Sequence, residues 1–300
     1  MTTNTLTAPA AAAGTWQLGD LTVNRMGFGA MRLGGMPWDP QPRSREGALG
    51  VLRRAVELGV NLIDTSAFYF TPLRSSNELI STALQPYDDD LVIATKVGPG
   101  RSRTGEFEDY ARPDQLREQV EENVRQLGRD GLDLVYLRWG HGHGKAEGSI
   151  AEHLGALADL RDAGLIRHLG VSNVTADQLR EALTVAPVVA VENRYGLDNR
   201  QDDDIVALTG EHGVAFVPFF AMAGRAPGEA PSAEAQALDD AVAAVAAAHE
   251  ATPSQVRLAW TLHQGTHVLA IPGTGDPAHL EQNVAAASLR LTPQELATLA

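Results

Sequence analysis

Three side chains able to move a proton stand at the ends of short apolar runs in the first third of the chain. Asp64 closes the run at 61–64, Tyr69 follows shortly after it, and Lys96 closes the run at 91–96. Gathered at one site, they make a proton-transfer unit. A buried carboxylate holds the ammonium, and the ammonium favours phenolate, drawing the tyrosine down from its reference pKa of about 10. A phenol so tuned can protonate a carbonyl oxygen while hydride arrives from elsewhere. No residue of the chain supplies hydride, so this reading carries a bound nicotinamide with it. Asp64 and Lys96 read equally well as a structural ion pair, because folds that place charges this way host many chemistries.

The elements that must position these residues follow a regular alternation. Further apolar runs lie at 132–137, before Arg138 and Trp139, and at 166–172, ending on Ser172 before Asn173. Others lie at 188–193, containing Glu192, at 214–219, ending on Phe219, and at 268–271, leading into Pro272-Gly273-Thr274. A run at 25–29 precedes them all. Most are nearly continuously apolar, as strands buried on both faces of a parallel sheet must be. Between them the helical period returns with recognisable ends. Ser44 and Gly59 bound one helix, Arg112-Pro113-Asp114 opens another that stops at Gly128, and Thr175/Gln178 and Thr252/Gln255 fit the capping box.

Such an alternation closes as a (β/α)8 barrel or lies open as a doubly wound sheet. An open sheet for a dinucleotide needs G-x-G-x-x-G turning directly from strand into helix. The one candidate, Gly-Phe-Gly-Ala-Met-Arg at 27–32, ends on arginine and then runs into Pro37, Pro40 and Pro42. The expected fold is therefore α/β, a (β/α)8 TIM barrel, with its chemistry at the C-terminal ends of the strands.

Residues 16–23 read as a hairpin turning at Gly19-Asp20 that plugs the barrel's N-terminal end. Residues 1–14, rich in Ala and Thr, read as a disordered tail, and 15–300 as one domain. The absence of cysteine excludes thiolate catalysis, disulfides and sulfur-based zinc sites. With 24 Lys and Arg against 38 Asp and Glu, the net charge of −14 repels phosphate backbones and acidic membranes. No apolar run reaches the roughly 20 residues of a membrane span, and no signal-peptide pattern opens the chain. A cytoplasmic protein without nucleic-acid or membrane partners is expected, with monomer and homo-oligomer equally open. His141 and His143 lie in Gly-His-Gly-His-Gly at 140–144, but a catalytic metal wants about three protein ligands and no third is placed, so no metal is expected.

Five motifs in order resemble the aldo-keto reductases: the 27–32 segment, Asn-Leu-Ile-Asp-Thr-Ser-Ala-Phe-Tyr at 61–69, Val-Ile-Ala-Thr-Lys-Val-Gly at 92–98, Gly-Leu-Ile-Arg-His-Leu-Gly-Val-Ser-Asn at 164–173, and Ile-Pro-Gly-Thr at 271–274 with His-Leu-Glu-Gln-Asn at 279–283. The resemblance runs from about Leu18 to near the C-terminus. It implies Tyr69 as general acid/base, tuned by Lys96 and Asp64, in the reduction of an aldehyde or ketone. It implies a nicotinamide cofactor across the barrel top, with Ser172, Asn173 and Glu192 at the carboxamide and Phe219 on the ring. Met31 and Asp64 adjoin that cofactor, Gly224 lies against the pyrophosphate, and Gly273, Thr274, His279, Gln282 and Asn283 surround the adenosine end.

Two departures from the family pattern concern charge. Its usual histidine after Leu-Val-Tyr-Leu is Arg138 here, and Glu192 replaces a usual glutamine. Arginine only donates and stays charged, so it can polarise the carbonyl or pin an anionic group beside it, but cannot shuttle a proton. Glu192 and Arg138 are complementary and are expected to pair across the barrel mouth. Arg138, the histidine-rich loop and Pro-Phe-Phe at 218–220 look like a bacterial pyridoxal-reductase-like branch, which implies reduction of pyridoxal to pyridoxine. A ketoreductase of secondary metabolism and a non-catalytic nucleotide sensor are the alternatives on the same fold. Trp38, Phe68, Trp139 and His141 are expected around the substrate. NADPH is the expected cofactor, with NADH left open by Asp276 near the adenosine loop.

Overall fold

Helix starts are fixed by side chains that satisfy backbone N–H groups left without partners in the first turn. Ser44 Oγ accepts from Gly47 N at 3.0 Å, Thr175 and Thr252 form capping boxes with Gln178 and Gln255, and Asp276 accepts from Ala278 and His279. The computed structural model describes residues 8–34, 44–71, 73–102, 106, 109–140, 142, 144–222 and 232–299. In chain order these give β1 (Thr15–Leu18), β2 (Leu21–Asn24), β3 (Phe28–Gly29), α1 (Arg45–Glu57), β4 (Leu62–Asp64), β5 (Phe70–Thr71), β6 (Arg74–Ser75), α2 (Ser76–Leu84) and β7 (Val92–Val97). They continue with α3 (Leu116–Leu127), β8 (Leu132–Arg138), α4 (Ala151–Asp162), β9 (Ile166–Ser172), α5 (Ala176–Val185), β10 (Val188–Glu192), α6 (Asp203–Glu211) and β11 (Ala215–Phe216). The last are α7 (Ala233–Ala248), α8 (Pro253–His263), α9 (Pro277–Ala285) and α10 (Pro293–Thr298).

Seven strands form one parallel sheet in the order β11-β10-β9-β8-β7-β4-β3. Its two edges meet through residues 268–270, which pair by single bridges on both sides: Val268 with Phe216 and Ala270 with Met26. Leu269 N donates to Phe216 O at 2.9 Å, and Gly27 N donates to Ala270 O at 2.8 Å. The eighth barrel strand is thus present but reduced to bridges. Immediately beyond it the backbones of residues 29 and 273 touch. A Cβ on Gly29 would lie 2.6 Å from Ile271 O, and one on Gly273 would lie 2.6 Å from Gly29 O, so only glycine fits on either side.

Two apolar layers follow from this closure. Outside, helices and sheet enclose a core that includes Leu52, Ile63, Ile93, Leu137 and Leu169. Inside, Leu62, Val92, Ala94, Leu134, Tyr136 and Leu269 meet Leu18 and Val23 of the β1–β2 hairpin. The hairpin turns at Gly19-Asp20 as its sequence requires and stops the barrel's N-terminal end. The tail expected over 1–14 needs correction. Pro9–Ala13 forms a 3-10 turn with Ala10 and Ala13 buried, because methyl side chains are small enough for the backbone to lie close to Leu58, whose carbonyl accepts from Ala10 N at 3.0 Å. Residues 1–7 lie outside the described residues. Among the described residues no helix is long and apolar enough to cross a membrane.

Candidate active site

The registers of the parallel strands bring the polar strand ends to one level. Asp64 pairs with Ala94, Lys96 with Tyr136, Arg138 with Ser172, and Ser172 with Glu192. Lys96 Nζ donates to both oxygens of Asp64, at 2.5 and 2.6 Å, and to Thr65 O at 3.3 Å. Glu192 Oε2 lies 3.2 Å from the same Nζ, at ion-pair distance but without hydrogen-bond geometry. All three groups are nearly inaccessible. The Tyr69 ring lies with its centroid 5.1 Å from Lys96 Nζ, packed edge-to-face on Phe68.

This corrects one expectation: Glu192 pairs with Lys96 rather than with Arg138. Arg138 is drawn to the other side, where Nη1 donates to Ser172 Oγ at 3.2 Å, Nη2 donates to Gly142 O, and the guanidinium lies 4.8 Å from the Phe219 ring centroid.

Burial sets the ionisation of the cluster. Burial alone would lower Lys96, but the charges of Asp64 and Glu192 outweigh it and hold the ammonium above its ordinary range. Burial pushes Asp64 up, against the pull of Lys96. Glu192 is pushed up to about 8, by burial first and then by the neighbouring Asp64 charge. Tyr69 is also pushed up, to about 12. The expected lowering by Lys96 is present, but withdrawal from water and the charges of Asp64 and Glu192 overrule it. At neutral pH the cluster therefore holds a cationic lysine and a protonated, proton-donating phenol.

Above it opens a cavity of about 700 Å³. Asp64, Phe68, Tyr69, Lys96, Arg138 and Glu192 line its inner part with Met31 and Phe219. Gly273, Thr274, His279, Gln282 and Asn283 line its outer part around the start of α9. Three of the residues expected around a ligand are not in the wall. Ser172 stands behind Arg138. Asn173, at φ 62°, spends its amide nitrogen on Trp139 O at 3.0 Å and Gly144 O at 2.7 Å. Trp139 packs edge-on against Tyr110 and His153. Trp38, His141 and Gly224 lie outside the described residues. Among the described residues no group of three His, Asp or Glu is placed to hold a metal ion.

Glu192 Oε2 is a buried acceptor without a hydrogen-bond partner among the described residues, and it belongs to the cavity wall. A primary amide stacked beside Phe219 would satisfy it, so the residues present fit the carboxamide end of a nicotinamide. Sequence reasoning missed two parts of the site. Thr252 and Ser254 line the cavity but were legible only as the start of α8. A buried polar network lies behind the strand ends. Thr65 Oγ1 donates to Asn77 Oδ1 at 2.7 Å, and Thr95 Oγ1 and Asn77 Nδ2 both donate to Asn123 Oδ1, at 2.5 and 3.0 Å. Its only signal is a threonine beside each of Asp64 and Lys96.

Comparison with known proteins agrees with this geometry. The sequence model of the Aldo/keto reductase family matches residues 25–300. The chain is 43% identical over 290 residues to pyridoxine 4-dehydrogenase of Escherichia coli, covering 96% of this chain and 98% of that protein. An aldo/keto reductase from Klebsiella pneumoniae, solved in complex with NADP and acetate, superposes with a TM-score of 0.72 at 25% identity, covering 93% of this chain and 90% of that one. For the fold alone, a glycerol dehydrogenase from Gluconobacter oxydans superposes with a TM-score of 0.81 at 23% identity, covering 96% and 94%.

Proposed function

The chain belongs to the aldo/keto reductase family and is an oxidoreductase of carbonyl groups; from that premise we propose that it reduces pyridoxal to pyridoxine with NADPH, Tyr69 being the proton donor. The observation that carries this reading is the Asp64–Lys96 pair beside Tyr69 at the inner end of one cavity. The pyridoxine 4-dehydrogenase relative supports the substrate, and the NADP-bound relative supports the cofactor.

Bound NADPH supplies the hydride. Glu192 and Phe219 would hold its nicotinamide end, and Thr274, His279, Gln282 and Asn283, which line the same cavity, would hold its adenosine end. The substrate's carbonyl oxygen faces the Tyr69 hydroxyl, which gives up its proton as negative charge develops on that oxygen. Lys96, held by Asp64, then faces a phenolate and stabilises it. Because Tyr69 is pushed up to about 12, the acid form needed for reduction is present throughout the neutral range.

The test is NADPH consumption with pyridoxal and with a panel of other aldehydes and ketones, wild type beside Tyr69→Phe. Expected is turnover of pyridoxal that falls at least about 100-fold in Tyr69→Phe, with NADPH affinity unchanged. Turnover of other carbonyls but not pyridoxal would keep carbonyl reduction and discard the substrate. Full activity in Tyr69→Phe would remove the proton-donor assignment.

A further inference from the structure

Two roles are open to Arg138, polarising the reacting carbonyl or pinning an anion beside it, and its surroundings separate them. Arg138 is 9% exposed and its guanidinium is held on three sides: by Ser172 Oγ, by Gly142 O and by the face of Phe219. None of these carries a charge. Both carboxylates of the site are turned to Lys96, so among the described residues no carboxylate lies at ion-pair distance from Arg138. Glu192, Tyr69, Tyr110 and Asp64 act on it only through space. A buried cation whose counter-charge is missing is costly to keep, and it gains most when an anion arrives. Glu192 is held at 3.2 Å by Lys96 and does not take that place. Two guanidinium N–H groups have acceptors; the remaining donors belong to a planar fork suited to oxyanions, and the residue lines the same cavity as Tyr69.

We propose that Arg138 anchors an ionised oxygen of the substrate on the ring atom next to the one bearing the aldehyde, so that the preferred substrates are aromatic aldehydes with an ortho phenolate. The formyl carbon and the phenolate oxygen sit on neighbouring ring atoms, so the carbonyl oxygen can turn to Tyr69 while the phenolate meets the guanidinium. The roles do not compete. Arg138 has no proton to give at any working pH, and Tyr69 alone acts as acid. The anchor acts before the chemical step, so its loss falls on KM rather than on kcat. This rests on carbonyl reduction at Tyr69 and adds the class of substrate that the site selects.

The experiment compares kcat and KM with NADPH for benzaldehyde, salicylaldehyde, its ortho-methoxy ether, and a nitrosalicylaldehyde whose phenol is ionised at neutral pH. The wild type should favour the nitrosalicylaldehyde over the methoxy ether by about 100-fold in kcat/KM, mostly through KM. For each hydroxyaldehyde kcat/KM should rise with pH at that substrate's own phenol ionisation. Arg138→Met should collapse this ratio to a few-fold, and Arg138→Lys should restore part of it. Equal handling of the hydroxy and methoxy aldehydes by the wild type, or an unchanged ratio in Arg138→Met, overturns the assignment. A binding readout separates this from failure of the reduction itself. In Tyr69→Phe with NADPH, the coloured nitrosalicylaldehyde should bind as phenolate, with its ionisation shifted to lower pH, and lose that shift when Arg138→Met is added. No shift in Tyr69→Phe overturns the anchor whether or not any carbonyl is reduced.

Discussion

At the residue scale, one ammonium serves two carboxyl groups, and burial raises Asp64 and likewise Glu192. For Glu192 a pKa of about 8 in the fold stands against an ordinary 4.5. Between those values the unfolded chain has released this proton while the folded chain still binds it. Stability contributed by this group therefore falls as pH rises from about 4.5 to about 8. Glu192→Gln should flatten that part of the apoprotein's stability–pH curve, measured as Tm across the range; an unchanged slope would mean Glu192 is ionised throughout. Tyr69 gives a second pH prediction. On its proposed role, alcohol oxidation by the same enzyme needs its phenolate, so that direction should quicken with pH towards about 12, while the acid needed for reduction persists. That Asp64, Tyr69 and Lys96 gather at one site was legible in the sequence because the apolar runs place Asp64 and Lys96 at neighbouring strand ends and Tyr69 follows closely. The net direction of the tyrosine shift and the partner of Glu192 were not. Both depend on how deeply the cluster is buried and on Arg138 being drawn towards Ser172, which no spacing encodes.

At the element scale, side chains on successive strand residues face opposite ways, so Lys96 facing the cavity turns Thr95 outward. There Thr95 and Asn77 converge on Asn123 of α3, whose own amide nitrogen donates to Gln119 O at 2.9 Å. The network ties β7 to α2 and α3 directly behind the lysine, and Thr65 extends it to the residue after Asp64. Asn123→Leu leaves buried donors without acceptors, at a cost of about 2 kcal/mol. It should lower kcat more than it raises KM, because Lys96 and Asp64 lose their backing. Urea unfolding and steady-state kinetics check the two halves; a stability loss with unaltered kcat would make the network purely structural. The alternation of strands and helices was readable from period and caps, including the boxes at Thr175 and Thr252. The network was not, because a strand buried on both faces reads as continuously apolar and its few hydroxyls pass unnoticed.

At the scale of the whole molecule, the barrel closes where its strands are shortest, and Arg25 gathers the pieces. Its guanidinium donates to Ala13 O and Val268 O, each at 3.0 Å, to Leu262 O in the last turn of α8 and to Gly265 O just beyond it. Arg25→Met strips donors from four carbonyls, and a loss of about 3 kcal/mol is expected, seen as a lowered Tm. The seam was legible as the 268–271 run, but on its β3 side the ladder stops after the Ala270–Met26 bridge, where Pro272 has no N–H to extend it. The opposite end of the barrel has a different consequence. Leu18 and Val23 close it with hydrocarbon, and above them Leu62, Val92 and Leu134 continue the apolar layer towards Lys96. Such a floor offers no polar side chain through which a proton could reach the phenol from below. In the proposed reaction, the proton that Tyr69 gives away returns through the open side of the cavity, the side by which product leaves.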